Sequence, residues 1–393
     1  MSTFPRVLIV HNSYQRRGGE DIVAEGEAAL LRRNGHEVEF YGRHNSDIEN
    51  MSKVDVALDT LWSKRTVDDL AKCIAAFNPD LIHVHNTFPL ISPSLFWAAV
   101  KKGVPVVQTL HNFRLLCLQA MFLRDNRTCE DCLGKVPWRG VVHKCYRGST
   151  AQSAVLAGTL TLHRALGTYQ HKVTRYIALN RFCRNKFIEG GLPPDRISIK
   201  PNFVDNPVPI DGPRTHGLFV GRLSQEKGTD VLLGALSRLP GKIVKVIGEG
   251  PEKELMQMHG RLRSLGMKTH AEIMAHMQRS SYLLMPSIWY ETFGLVLAEA
   301  FACSLPVIAS RFGVMQDLIE DGRTGILFDP GSSSDLAEKI AWADRHPEEM
   351  RRMGFNARET YLEKYTPQHN YEQLMAIYRQ ALSDQQASKH RTT

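Results

Sequence analysis

Residues Asp205 to Gly217 read DNPVPIDGPRTHG, rich in Pro and Gly and without an apolar period of their own. Such a stretch reads as a linker, and the same pattern runs on both sides of it. Upstream, Arg6 to His11 (RVLIVH), Asp80 to His85 (DLIHVH) and Val104 to Leu110 (VPVVQTL) read as buried strands, with helical periods around Glu20 to Arg33 and Arg181 to Glu189. Downstream, short apolar runs at Leu218 to Gly221, Ile243 to Ile247, Tyr282 to Met285, Pro306 to Ala309 and Gly325 to Phe328 restart the alternation. From Ser333 to about Gln386 the pattern is helical only, broken at Pro347 and Pro367. Strands alternating with helices make βαβ units and a mainly parallel sheet. The fold class is therefore α/β, with two doubly wound domains in tandem and a helical tail. Ligands are expected beyond the carboxyl ends of the strands, in a cleft between the two domains. Only Asn112 to Ser149 breaks the rhythm, as an insertion with no strand or helix period.

A chain of 393 residues with 43% hydrophobic and 23% charged residues has the material for two or three packed cores. That excludes wholesale disorder and a small stapled fold. The formal charge of +8 is uneven, because residues 101–200 hold 17 Lys and Arg against 5 Asp and Glu. The segments before and after are slightly acidic. Such an excess points to an anionic partner: nucleic acid, a phosphorylated substrate or an acidic membrane surface. A solvated basic face with no partner is the plainer alternative. Met1 to Val10 has no signal-peptide pattern, and no apolar run reaches the roughly 18 residues of a membrane span. Ala151 to Leu162 is uncharged but short, which suits a buried or interfacial helix. A cytoplasmic location is expected, with a peripheral membrane contact left open.

The strongest chemical signal is Pro286 to Pro306, PSIWYETFGLVLAEAFACSLP. A strand ending near Met285 leads to a helix expected to begin about Phe293, with Glu291 just before it and Glu299 two turns inside. The amides of Thr292, Phe293, Gly294 and Leu295 would form an anion site at the helix start, where Gly294 lets a phosphate approach. The two carboxylates could then hold sugar hydroxyls on either side. A capped helix with one buried, satisfied Glu fits the spacing equally well.

This segment resembles the glutamate-x7-glutamate motif of retaining GT-B glycosyltransferases, in particular family 4. The resemblance implies that Glu291 contacts the donor sugar and Glu299 the ribose of the nucleotide. Val220 to Gly228 (VGRLSQEKG) is similar to the family's signature loop, which implies that Arg222 and Lys227 neutralise the donor diphosphate. Gly18 and Gly19, after the first strand, match the family's glycine loop facing the phosphates or the acceptor. His111, in TLHNF, matches a His near the transferred sugar, and His85, in HVHN, would line the acceptor side. Asn180 and Asn202 match polar positions at the interdomain cleft. Gly313 to Gly325 continues the likeness, with Asp317 at the usual acidic position. Ser304 stands where Gly is usual, and Phe312 replaces the first of a Gly pair. The implied architecture is GT-B with two Rossmann-like domains. Residues 1–205 form an acceptor domain carrying the 112–149 insertion, 206–366 a nucleotide-sugar domain, and 367–393 a C-terminal helix that packs back on the first.

The resemblance implies transfer of sugar from a nucleotide-diphosphate donor with retention, for which stabilising the leaving diphosphate is the main electrostatic task. The sequence contains no Asp-x-Asp, so transfer without a catalytic metal is expected. The placement of the charge favours a lipid-diphosphate-linked acceptor saccharide and an anionic membrane, at the inner face of which the enzyme would work. In the insertion, Cys117, Cys129, Cys132 and Cys145 follow C-x11-C-x2-C-x12-C, a spacing open to structural zinc, to free or redox thiols, or to a cluster or disulfides. Two other functions compete: a nucleotide-sugar epimerase or phosphorylase on the same architecture, and a zinc-containing nucleic-acid binder. The basic segment lacks the aromatic interleaving of a stacking platform, so no nucleic-acid partner is expected.

Overall fold

The computed structural model describes residues 4–208, 210 and 212–390. Residues 1–3 at the start, Pro209 and Asp211 of the linker, and 391–393 of the tail lie outside them. Two compact units are formed, one from the residues up to Ala120 with Glu130–Lys200 and the chain from Tyr371 onward. The other is Met121–Cys129 with Pro201–Asn370.

In the first unit the strands are β1 (Val7–Ser13), β2 (Val38–His44), β3 (Leu81–Asn86) and β4 (Val106–Leu110). The insertion contributes a small antiparallel hairpin, β5 (Leu123–Arg124) with β6 (Arg127–Thr128), which clusters with the second unit. The strands β7 (Arg175–Ala178) and β8 (Ile197–Ile199) complete a parallel sheet of order β2-β1-β3-β4-β7-β8. Its central strand β3 is buried throughout. Burial on both faces explains why β1, β3 and β4 read without an alternating pattern. The core under β1 gathers Val7, Ile9, Leu31, Leu81, Val107 and Ile177 with Leu374, Ile377, Tyr378 and Ala381 of the Pro367–His390 helix. Those last four recur at i, i+3, i+4 and i+7, the stripe by which an amphipathic helix buries one face.

The second unit holds β9 (Gly217–Val220), β10 (Val244–Ile247), β11 (Leu262–Ser264), β12 (Tyr282–Met285), β13 (Val307–Ser310) and β14 (Gly325–Phe328). They form a parallel sheet of order β11-β10-β9-β12-β13-β14. Chain order reverses between β9 and β12, so the loops after those two strands flank the crevice where open α/β sheets bind ligands. Leu232, Leu236, Tyr282, Ile308, Phe328 and Met353 lie in its core.

Several elements depart from the sequence reading. The helix expected near Phe293 runs Leu295–Ala302, with Gly294 as its N-cap at φ +73°. Thr292 and Phe293 therefore precede the helix, and Glu299 sits about one turn inside it. Strand β11 and the helix Lys53–Trp62 had no clear signal, the strand being a half-exposed edge of three residues. The insertion is not featureless: it has a 3-10 turn at Phe113–Leu115 and a helix at Trp138–Val142 beside its hairpin. Pro347 and Pro367 begin helices Pro347–Lys364 and Pro367–His390, because the first helical turn leaves the missing N–H without consequence. Among the described residues no helix is long and apolar enough to cross a membrane.

Candidate functional site

In the second unit, the loop after β9 and the loop after β12 are locked together. Gly228 adopts φ +72°, and a Cβ there would lie 1.9 Å from the carbonyl oxygen of Pro286, so only glycine permits the approach. The amide of Ile288 donates to the carbonyl of Glu226 at 3.0 Å. This brings Lys227 Nζ to 2.5 Å from Glu291 Oε1. Ser287 Oγ and Trp289 Nε1 donate to that same oxygen at 2.9 and 3.0 Å, and Lys227 also lies 5.2 Å from the Trp289 ring centroid. Glu291 is 6% exposed, and its Oε1 is thus fixed by three donors. Its Oε2 accepts no hydrogen bond from the described residues.

Arg222 is exposed on a loop that sequence reading only half described. The segment Gly248 to Gly250 presses against it: added Cβ atoms would meet Gly221 O at 1.9 Å and Leu223 O at 2.2 Å. The amide of Leu223 donates to Glu249 O at 2.9 Å. A Gly-x-Gly following a strand was the signal available for this second loop. Glu299, half-buried, accepts from His270 Nε2 at 3.1 Å, and that hydrogen bond is the main cause raising the His270 pKa; His270 was not anticipated. Phe312, in place of a glycine, stacks on Tyr290 at 4.8 Å. Asp317 lies on the short helix Met315–Leu318. Ser304 has φ +52°, which is the physical reason glycine is the usual residue there.

In the first unit His111 follows β4 directly and is buried. Its Nε2 lies 2.9 Å from Nδ1 of His85. His83 and His85, two apart on β3, face the same side; His83 bonds Tyr378 Oη and Thr109 Oγ1, each at 2.8 Å. Behind them stands Glu27, fully buried, with one oxygen bonded to the buried Lys200 and the other 3.6 Å from both His83 Nδ1 and His85 Nε2. Burial is the main cause holding all three imidazoles below their ordinary pKa, His83 at about 4. The chain Lys200, Glu27, His85, His111 carries polarity from the core to a pocket lined by His85, Thr87, Gln108, His111, Asn112 and Arg114.

The Gly18 and Gly19 loop closes on a carboxylate that was also missed. Asp21 accepts from the Gly18 amide at 2.7 Å, the Tyr14 amide at 3.2 Å and His11 Nε2 at 2.8 Å. Glu20 accepts from Tyr14 Oη at 3.0 Å and Asn112 Nδ2 at 2.7 Å, and its burial among them raises its pKa. Asn180 caps the helix Arg181–Glu189 through the Cys183 amide at 2.8 Å, and Asn202 is buried.

Cys117 is buried, Cys129, Cys132 and Cys145 are half-buried, and none of the chain's cysteines is in a disulfide. Among the described residues, three candidate ligand atoms come within 4.8 Å of one another at Glu27, His83 and His85. At Glu27 the Lys200 ammonium already supplies the positive partner.

Residues 204–360 match the family model described as Glycosyl transferases group 1, and residues 17–206 the model described as Glycosyltransferase Family 4. The chain is 33% identical over 155 residues to an uncharacterised glycosyltransferase of Methanocaldococcus jannaschii, covering 38% of this chain and 44% of that protein. It is 25% identical over 364 residues to the 2-deoxystreptamine N-acetyl-D-glucosaminyltransferase of Niallia circulans, covering 85% of this chain and 84% of that one. Among solved structures, Anabaena HepE in complex with UDP and glucose superposes with a TM-score of 0.67 at 19% identity, over 95% of this chain and 98% of the other. The fold is GT-B. The chain belongs to the glycosyltransferases, with a family 4 region followed by a group 1 region.

Proposed function

We propose that the chain is a retaining, metal-independent glycosyltransferase that moves a hexosyl group from a nucleotide-diphosphate sugar to a lipid-diphosphate-linked saccharide of a polysaccharide pathway. The observation that carries this reading is the joint at Gly228 and Pro286, which sets Lys227 on one oxygen of Glu291 at the switch point of the second sheet. With Oε1 held by Lys227, Ser287 and Trp289, Oε2 is the acceptor for a sugar hydroxyl. Lys227 and the exposed Arg222 supply positive charge where the leaving diphosphate gathers negative charge. In the step itself the acceptor oxygen bonds to the anomeric carbon, the bond from that carbon to the phosphate oxygen breaks, and its electron pair leaves with the diphosphate. The departing phosphate takes the acceptor's proton on the same face, which retains configuration. The UDP and glucose bound by the Anabaena structure support a nucleotide-sugar donor, and Glu299 with His270 is the pair that would meet its ribose.

The pocket beside His111, at the end of the buried chain, would take part of the acceptor. The +12 balance of residues 101–200 supports an anionic acceptor and work at an anionic membrane. Cys117, Cys129, Cys132 and Cys145 are proposed as ligands of one structural zinc ion. Elemental analysis of protein purified without chelator would find that ion, and zinc-free protein would remove the idea.

The test is a panel of nucleotide sugars scored by thermal shift, since a bound donor stabilises by mass action, followed by transfer from the best donor to lipid-linked acceptors. Glu291→Ala abolishes transfer with the fold unchanged by circular dichroism, and Lys227→Ala lowers it about 100-fold or more. Retained turnover in either variant would overturn the assignment, and an altered sugar nucleotide formed without acceptor would identify an epimerase.

A further inference from the structure

The face built by the Trp138–Val142 and Thr150–Ala165 helices has no counterpart in the transfer chemistry. Between Cys132 and Ile188 the sequence has ten Lys and Arg and no Asp or Glu. Within the first unit, the Thr150–Ala165 helix buries Leu156 and Leu160 against Leu118. Its outward positions include Ala151, Gln152, Ala154, Gly158, Leu162 and Ala165, none of them charged. A helix that faces water ordinarily carries charged residues on that side.

The shorter helix repeats the feature more sharply. Gly140 points inward, where an added Cβ would lie 2.7 Å from Leu118 Cδ1. About half a turn around, Trp138 and Val142 stand outward one turn apart, 59% and 63% exposed, beside Val136 at 59%. Lys135, Arg139, Lys144 and Arg147 are all exposed on the same segment. Among the described residues, Asp131 lies 3.5 Å from Arg139, and Glu130 is taken by Lys186 at 2.8 Å. The patch keeps a positive balance around an apolar centre.

We propose that this face seats the protein on an anionic lipid bilayer, with Trp138 and Val142 entering the headgroup boundary and Lys135, Lys144 and Arg147 meeting lipid phosphates. Tryptophan with flanking cations is the composition that favours the membrane interface. A second copy of the chain is a poorer occupant, since a two-fold contact through this face would set the same cations against themselves. The proposal deepens the reading of a lipid-linked acceptor, and its test does not depend on transfer.

The full chain is sedimented with sucrose-loaded vesicles of phosphatidylcholine alone or mixed with phosphatidylglycerol. It binds the anionic vesicles, more weakly as salt rises. Each cation near the surface contributes about fivefold, so Lys144→Gln with Arg147→Gln lowers the partition roughly 25-fold. Trp138→Ser with Val142→Ser also lowers it, with an unchanged melting curve because both side chains are exposed. Equal binding to both vesicle types, unchanged partition of both variants, or a dimer by ultracentrifugation that these variants dissolve would each overturn the proposal. Loss of donor-induced thermal shift with vesicle binding intact would count against the transferase reading alone.

Discussion

Replacing Lys200 with methionine isolates the energetic weight of the buried chain behind His111. Glu27 and Lys200 are both 0% exposed, and Lys200 is the cation bonded to that carboxylate. Methionine keeps the length of the side chain and removes its charge, leaving Glu27 facing the imidazoles of His83 and His85 at 3.6 Å. Removing one partner of a buried ion pair costs about 3–5 kcal/mol, because the remaining charge is stranded in low dielectric. For a unit of this size each kcal/mol lowers the melting temperature by about 2–4 °C, so the single variant loses roughly 6–20 °C at neutral pH. Glu27→Gln combined with Lys200→Met removes both charges and recovers most of that loss, since a buried pair contributes little net stability beyond an uncharged filling of the same volume. Calorimetry of the parent, both single variants and the double variant closes the cycle. A Lys200→Met protein melting within 2 °C of the parent, or a double variant no better than the single one, refutes the reasoning.

Acid weakens the first unit as its buried imidazoles take up protons. The folded pKa of His83 is depressed to about 4 by burial, below the unfolded value of about 6.5, so stability is complete above about pH 6.5 and is lost as pH falls toward 4, by about 3 kcal/mol from this residue. His85 and His111 add in the same direction, and a melting temperature flat across that range contradicts the burial argument. Gly228→Ala forces both a left-handed alanine and a Cβ 1.9 Å from Pro286 O; it costs about 2–4 kcal/mol and abolishes the donor-induced thermal shift, and an unshifted midpoint would show that the two loops are not locked. Ser304→Gly relieves the φ of +52° and stabilises by up to about 1 kcal/mol; a lower melting temperature would mean the serine is held for another reason.

Much of the architecture was legible because the central strands of both sheets are buried on both faces. Val7 to Val10 and Leu81 to Val84 announce themselves as apolar runs whatever their partners. Position along the helix axis was less legible. Gly294 suggested a phosphate approach within a helix, whereas its positive φ makes it the residue before the helix, and the amides count from there. Glu291 and Lys227 could be named from their loops, but the joint that unites them depends on Gly228 and Pro286 being pressed together across two loops 58 residues apart. The partners Glu27 and Lys200 are separated by 173 residues, and no local period connects a helix with the end of a sixth strand. Asp21 and His270 were hidden for a similar reason, since a lone acidic or basic side chain in a helix reads as solvated surface. His83 and His85 did carry a readable signal, because residues two apart in a strand share a face.

The residues from Tyr371 onward belong to the first unit although the whole of the second precedes them in the chain. Leu374, Ile377, Tyr378 and Ala381 complete the core that begins with Val7 and Ile9. During synthesis the first unit therefore waits, with that sheet face uncovered, while the ribosome makes everything between Pro201 and Asn370. The earlier-made half is the later to finish, and the tail works as its closing clasp.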